Sequence, residues 1–442
     1  METILLGIFI AGYLLITLEH SLKIDKLIPA LGMMAILWAI IAIFNIPVFE
    51  VDTALRELIP VKVKKIMAYH LAHTSEILIF LLGAMTIVEI IDYYNGFEKI
   101  KSFVRTKSRK KLLWIFAILA FILSAIIDNL TATIVLITIL QKIIKDKNLR
   151  LWFAGLIVIA ANAGGAWSPI GDVTTTMLWI GGQLTALTII KTLIIPSFVA
   201  MLVPLLVLTF TLKGEVTRPV KSKVLEHYMD PTTPFERNLV FFLGLAGLLF
   251  VPIFKTLTHL PPFMGMMLSL GVLWIATEII HRSKNKEGKS QVSVIGVLRK
   301  IDTASVLFFL GILLAVAGLQ TAGHLAVVAE NLNHSFNGDI YSINVVIGLL
   351  SALVDNVPLV AGSMGMYEVA SVGSFAQDGI FWQFLAFCAG TGGSALIIGS
   401  ASGVAVMGLE KIDFVWYLKK ISLLALLGYF AGAGTYILMQ YI

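Results

Sequence analysis

The sequence is poor in charge. Of its 442 residues only 14% are Asp, Glu, Lys or Arg, against about 25% in a typical soluble chain. It is also nearly without cysteine: Cys388 stands alone inside an apolar run, so no internal disulfide can form and a small buried hydrophobe is the expected role. No P-loop, dinucleotide fingerprint, zinc-ligand cluster or nucleophile motif is present, which weighs against a primary pump or a membrane-embedded enzyme. These absences exclude an ordinary soluble enzyme, a disordered chain and a disulfide-stapled secreted domain. What is abundant is apolar: 58% hydrophobic residues and a mean hydropathy of +0.91. The fold class is therefore an all-α polytopic membrane protein. The opening METILLGIFIAGYLLITLEH lacks a basic n-region and a small-residue cleavage site, and reads as a first span rather than a signal peptide.

Apolar runs long enough to cross a bilayer occupy 3–21, 27–46, 75–92, 187–212, 238–255, 263–281, 303–322 and 420–441. Regions 151–182 and 380–410 also cross but are interrupted by glycines, and 112–141 and 340–369 each carry an Asp-Asn pair near the centre. The net charge of +6 could suggest nucleic acid, but here Lys and Arg act as topology labels. Seven basic residues lie between Lys99 and Lys111, and Lys142, Lys145, Lys147 and Arg150 follow residue 141, so both ends of 112–141 read as cytoplasmic and the segment as a re-entrant hairpin. No Lys or Arg occurs between Lys300 and Lys411, which makes 340–369 an opposed hairpin entering from outside. The scheme has ten spans, two hairpins and both termini outside. Residues 47–74, basic yet external, are expected to form an interfacial amphipathic helix.

An internal repeat supports this map. Ser124-Ala-Ile-Ile-Asp128-Asn129-Leu130 aligns with Ser351-Ala-Leu-Val-Asp355-Asn356-Val357 at an offset of 227, with four of seven positions identical. Phe80–Gly83 matches Phe308–Gly311, and Ala163–Ala166 matches Thr391–Ser394, both at 228. An odd number of crossings per half inverts the second half, and inverted repeats with broken helices at the midplane describe a secondary transporter. The expected units are 1–75 (N-terminal scaffold spans), 76–212 (first repeat), 213–237 (cytoplasmic linker) and 238–442 (second repeat).

Ionisable groups at membrane depth are costly, and so are candidates for function. Asp128 and Asp355 sit at the two hairpin turns, with Asn129 and Asn356 as partial helix caps. The first broken span holds Asn162, Ser168, Asp172, Thr174 and Thr175, whose side-chain oxygens suit a hard cation together with carbonyls freed by Gly and Pro. The second offers Thr391, Ser394 and further hydroxyls but no carboxylate, so an asymmetric site is expected. Three mid-membrane aspartates without Lys or Arg in the same segments would attract Na+, Li+ or H+ and repel an anion. A carboxylate taken out of water favours its neutral form and a bound cation restores the charge, so cation and proton compete for the same oxygens. Glu89 is a proton-pathway candidate, Asp92 an interfacial residue, and Met264, Met266 and Met267 core. His70 and His73 are expected to make structural hydrogen bonds, with pH sensing as the alternative.

SAIIDNLTATIV, ANAGGAWSPIGDVTTTMLWIGGQ, FFLGILLAVAGLQTAG, SALVDNVPLVAGSMGMY and CAGTGGSALIIGSASGVAVMGLEK resemble the NhaD-type sodium/proton antiporters, a likeness running from about Glu76 to the C-terminus. The resemblance implies an inner-membrane homodimer that exports Na+ or Li+. Each protomer would have a scaffold domain and an elevator-like transport domain built of hairpins and broken helices. It places the cation and proton site at Asp128, Asn129, Asn162, Asp172, Thr174, Thr175, Ser351, Asp355 and Asn356, with Ser124, Thr131, Ser168, Glu89, Thr391 and Ser394 as secondary candidates. Ile127 stands where some members carry a second carboxylate. No cofactor beyond the transported ions, and no partner beyond the bilayer and a second copy, is expected. The alternative within the superfamily is a Na+-coupled anion symporter.

Overall fold

The computed structural model describes residues 2–17, 22, 24–52, 57–97, 104, 106–217, 232–282, 294–353 and 355–441. Helices dominate. Among the described residues eight are long and apolar enough to cross a membrane: Val63–Tyr93, Arg109–Ile127, Lys147–Ala166, Ala186–Thr211, Pro234–Thr258, Pro262–Ile280, Thr303–Thr321 and Ser422–Met439. Two of the expected N-terminal spans are shorter helices, Glu2–Thr17 and Leu27–Ile43; the end of the first, 18–21, lies outside the described residues.

Residues 47–74 depart from the amphipathic helix expected there. Phe49–Asp52 and Glu57–Pro60 form an antiparallel ribbon, pairing Phe49 with Pro60 and Asp52 with Glu57. The cause is local: Phe49-Glu-Val-Asp alternates apolar and polar at period two, a strand pattern. From Val63 the chain is helical without a break to Tyr93, so the span expected at 75–92 is extended by three turns that carry Lys64 and Lys65.

The Asp-Asn segments and the glycine-rich spans are all interrupted. Arg109–Ile127 and Asn129–Ile143 meet at Asp128, which ends one helix and caps the next. Ile340–Leu350 and Asn356–Met366 are separated by five residues that end in Asp355, the cap of the second helix. Lys147–Ala166 breaks before Val173–Ile180, and Ile380–Gly392 breaks before Ala401–Glu410. The new helices start at Asp172 and Ser400, 228 residues apart, with nearly the same backbone (φ −145° and −148°). The Asp172 side chain accepts from the Thr174 N–H and the Ser400 side chain from the Gly403 N–H.

The repeat offset returns in the packing. The Ser124 hydroxyl donates to the Ala161 carbonyl at 2.6 Å, and the Ser351 hydroxyl to the Ala389 carbonyl at 3.0 Å. A methyl group at Gly164 would collide with the Phe121 carbonyl, and one at Gly392 with the Gly348 carbonyl. Only glycine lets these backbones approach so closely. Opposite corners of the assembly are tied by different chemistry. Arg150 donates from Nε to both carboxylate oxygens of buried Glu410 (3.0 and 3.1 Å). Asp378, at the offset position of Arg150, accepts from the Thr185 N–H and hydroxyl at 2.6 and 2.9 Å.

Lys147–Ala166 lies at the centre and is buried along nearly all its length. Around it pack the first Asp-Asn helices, Ile380–Gly392 and Ala401–Glu410. Ser422–Met439 packs closely on Ala186–Thr211, with Gly428 and Gly432, one turn apart, against Ala200 and the two helix prolines Pro196 and Pro204. On the other side Val63–Tyr93 packs with Pro234–Thr258, Pro262–Arg282 and Thr303–Thr321. Leu27–Ile43 lies on Thr303–Thr321, fixed by the Trp38 indole N–H donating to the Leu314 carbonyl at 2.9 Å. Met266 is fully buried, as expected of a core residue, whereas Met264 is exposed.

Candidate functional site

The polar groups forced into this apolar interior converge on two side chains. Asp172 Oδ2 accepts from Asn129 Nδ2 at 3.2 Å and from Asn356 Nδ2 at 3.3 Å. One amide thus comes from each Asp-Asn segment, and the carboxylate between them is buried. Asn162, one helix away, is fully buried and fully used. Its oxygen accepts from Asn129 Nδ2 (3.1 Å) and the Ser402 hydroxyl (2.7 Å), and its Nδ2 donates to the hydroxyls of Ser394 and Ser400 (2.9 Å each). Asn129 therefore links the two centres. An amide donor holds a carboxylate in place without neutralising it, which leaves a negative charge available to a cation.

A cavity of about 100 Å³ opens onto this cluster. It is lined by the polar side chains of Lys26, Asp128, Asn129, Thr131, Asp172, Ser305, Asp355 and Asn356 and by apolar ones that include Phe80, Leu81, Val88, Leu248 and Phe309. A second cavity, about 330 Å³, shares Met85, Val88, Leu130 and Thr131 with the first and is lined by Glu89, Asp92, Asp302, Thr138, Lys142 and Lys300. The shared lining makes the two cavities neighbours, and Glu89 lines the second, not the one that holds Asp128.

The three aspartates share a cavity but differ in their partners. Asp128 is turned onto its own helix, accepting from the Thr131 N–H and the Thr131 hydroxyl, both at 2.8 Å. Its backbone is strained, with φ +77° and ψ 157°, a region almost restricted to glycine that costs about 1–3 kcal/mol. Asp355 accepts from the Val357 N–H and from Lys26 Nζ. Among the described residues no three His, Cys, Asp or Glu side chains cluster closely enough to hold a metal ion by themselves. An alkali cation here would need hydroxyl, amide and carbonyl oxygens as well.

Several expected site residues lie behind the cavity rather than on it. Ser124 and Ser351 pin neighbouring helices; Ser168 donates to the Ala125 carbonyl, and Thr391 to Phe387 on its own helix. The Thr175 hydroxyl donates to the carbonyls of Asp172 and Gly165, and the Thr174 N–H caps onto Asp172. His73 Nδ1 is 3.1 Å from the Tyr69 carbonyl, a local helix contact. Thr176, from the same threonine run, lines the cavity, and Ser400 and Ser402, hydroxyls of the second broken span, complete the Asn162 network; Lys26 and Ser305 line the cavity although the sequence pattern does not mark them. The repeat offset of 228 from Asp172 and Thr174 leads to those two serines. No comparable signal marked Lys26.

Asp128 gives a test that separates strain from charge. Asp128→Gly removes the carboxylate and suits the backbone, while glycine is only a few tenths of a kcal/mol worse as a helix cap. The variant should melt in detergent no lower than the wild type, while cation-dependent transport, if the carboxylate serves it, falls by roughly 10–100-fold. Full transport by the glycine variant would remove Asp128 from the working groups.

Spanning helices around a buried polar cluster, with interrupted helices supplying its ligands, define a multi-pass membrane transporter. A family model described as "Citrate transporter" matches residues 13–386. Sodium/proton antiporter 1 of Arabidopsis thaliana is 46% identical over 97% of this chain and 71% of its own length. The Na(+)/H(+) antiporter NhaD of Vibrio cholerae is 32% identical over 98% of this chain and 91% of its own. The solved structure of the Alcanivorax borkumensis YdaH transporter superposes with a TM-score of 0.54 at 14% identity, over 94% of this chain and 97% of that one, a likeness of fold. The chain belongs to the NhaD-type sodium/proton antiporter family.

Proposed function

We propose that the protein exchanges Na+ or Li+ for H+ across a membrane by alternating access, with cation and proton competing for the aspartates of the cavity. The observation that carries this reading is the Asp172 carboxylate, buried and held by one amide from each Asp-Asn segment. Three carboxylates against the single ammonium of Lys26 leave the cavity lining with a surplus of negative charge, which favours a cation over a carboxylate or phosphate substrate. The names of the relatives point the same way. The repeat-related breaks at Asp172 and Ser400 support alternating access, since broken helices that meet at a repeat interface form the binding sites of carriers working in that way. On this reading the segments 112–141 and 340–369 are re-entrant hairpins. They move with the broken helices as a transport domain, elevator-fashion, against a scaffold formed by the remaining spans of a homodimer in the inner membrane, both termini outside.

Everted vesicles acidified inside and carrying a fluorescent pH probe test the reading. Added NaCl or LiCl should dequench the probe, and vesicles lacking the protein should not respond. Uptake of labelled citrate or sulfate, with no cation-driven proton release, would replace the proposal by the anion symporter.

A further inference from the structure

Lys26 precedes Leu27–Ile43, a helix that belongs to the wall opposite the Asp-Asn segments. That helix is held on Thr303–Thr321 by the Trp38 bond and by close contact of Gly311 with the Ala30 backbone, so the root of the lysine is fixed. The ammonium crosses to Asp355, with Nζ 3.2 Å from Oδ2, and lies 4.5 Å from the centre of the Phe308 ring. Both side chains are largely withdrawn from solvent, at 27% and 16% exposure, and both line the cavity that holds Asp128 and Asp172. The repeat partner of Asp355 is treated differently. Asp128 takes its donors from Thr131, on its own helix.

An ammonium at this distance occupies the place on Oδ2 that an alkali cation would take. Two monovalent cations cannot share one carboxylate oxygen in a low-dielectric cavity without strong repulsion. We infer that Lys26 is a tethered competitor at the transport site: its ammonium balances Asp355 while no ion is bound and is displaced when Na+ arrives. The inference deepens the antiporter reading and rests on it. A fixed competitor weakens binding by a set amount, so the site fills when Na+ is abundant and empties where it is scarce. The ring of Phe308 gives the displaced ammonium a nearby resting place.

The test compares wild type, Lys26→Met and Lys26→Arg by two readouts: the Na+ concentration giving half-maximal proton movement in everted vesicles, and the Na+ concentration giving half-maximal thermal stabilisation in detergent. Lys26→Met should lower both midpoints about tenfold, with a reduced maximal rate because release is slowed; Lys26→Arg, which keeps the charge, should stay within about twofold of wild type. In an Asp355→Asn background the Met substitution should no longer shift the thermal midpoint. Unchanged or raised Na+ midpoints in Lys26→Met would overturn the inference, as would an equal shift in the Met and Arg variants, which would mark a packing role. Should the Met variant fail to fold, Lys26→Gln is judged by the same midpoints. Absence of Na+-driven proton movement in the wild type would sink the antiporter reading itself, while the thermal midpoints still decide whether Lys26 opposes cation binding.

Discussion

Asp172→Asn is expected to abolish exchange while leaving the protein folded. The substituted amide keeps the shape of the carboxylate, and its oxygen can still accept from Asn129 or Asn356, which face Oδ2 at 3.2 and 3.3 Å. The charge is lost together with one acceptor, because Oδ1 also takes the Thr174 N–H. Removing one member of a buried charge pairing costs about 3–5 kcal/mol, more than a hundredfold in affinity. Initial rates of Na+-driven proton movement should fall by at least that factor. The stabilisation by Na+ that a binding-competent protein shows on heating should disappear, since only a ligand that binds the folded state can raise its melting point. Asp172→Ser, which gives the first break the cap the second has in Ser400, should be equally inactive. Retained exchange in either variant would move the cation site away from Asp172.

The second large effect concerns stability. Asn162→Ala should lower the melting point in detergent steeply, whatever it does to transport. The side chain makes four hydrogen bonds, and alanine leaves the hydroxyl of Ser394 and one proton of Asn129 facing a void, while Ser402 keeps its contact with Ser400. Stranded buried polar groups cost about 1–3 kcal/mol each, so about 2 kcal/mol or more is expected in total. Ser402→Ala, which removes one partner and spares the hub, should cost about 1–2 kcal/mol. Equal melting of Asn162→Ala and wild type would show that the network contributes little to holding the two breaks together.

Much of this was legible in the sequence because apolar surroundings make polar residues conspicuous. Asp128, Asp172 and Asp355 stand out by charge, the glycine-rich spans by their interruptions, and the repeat by its constant offset. What sequence does not carry is which polar group turns toward the cavity. Ser124 and Asn129 are five residues apart; one pins a helix while the other reaches the carboxylate. Lys26 was obscured for a different reason: a lysine in a short connection between two spans reads as a topology label, and only the placement of Leu27–Ile43 against Thr303–Thr321 brings it to Asp355. In 47–74 the basic residues suggested an interfacial helix, but the ribbon answers to the alternation of its side chains, to which charge is indifferent.

The glycine contacts between the Asp-Asn helices and the interrupted ones have a thermodynamic consequence. Phe121 and Gly348 carbonyls rest directly on Gly164 and Gly392, with no side chain between them to bend or slide. On the antiporter reading the oxygens around Asp172 therefore travel as a set, and the same groups carry the ion whichever compartment they face. A carrier of that kind has no preferred direction of its own. It is a reversible exchanger, and whether it expels or admits sodium is decided only by the gradients on its two sides.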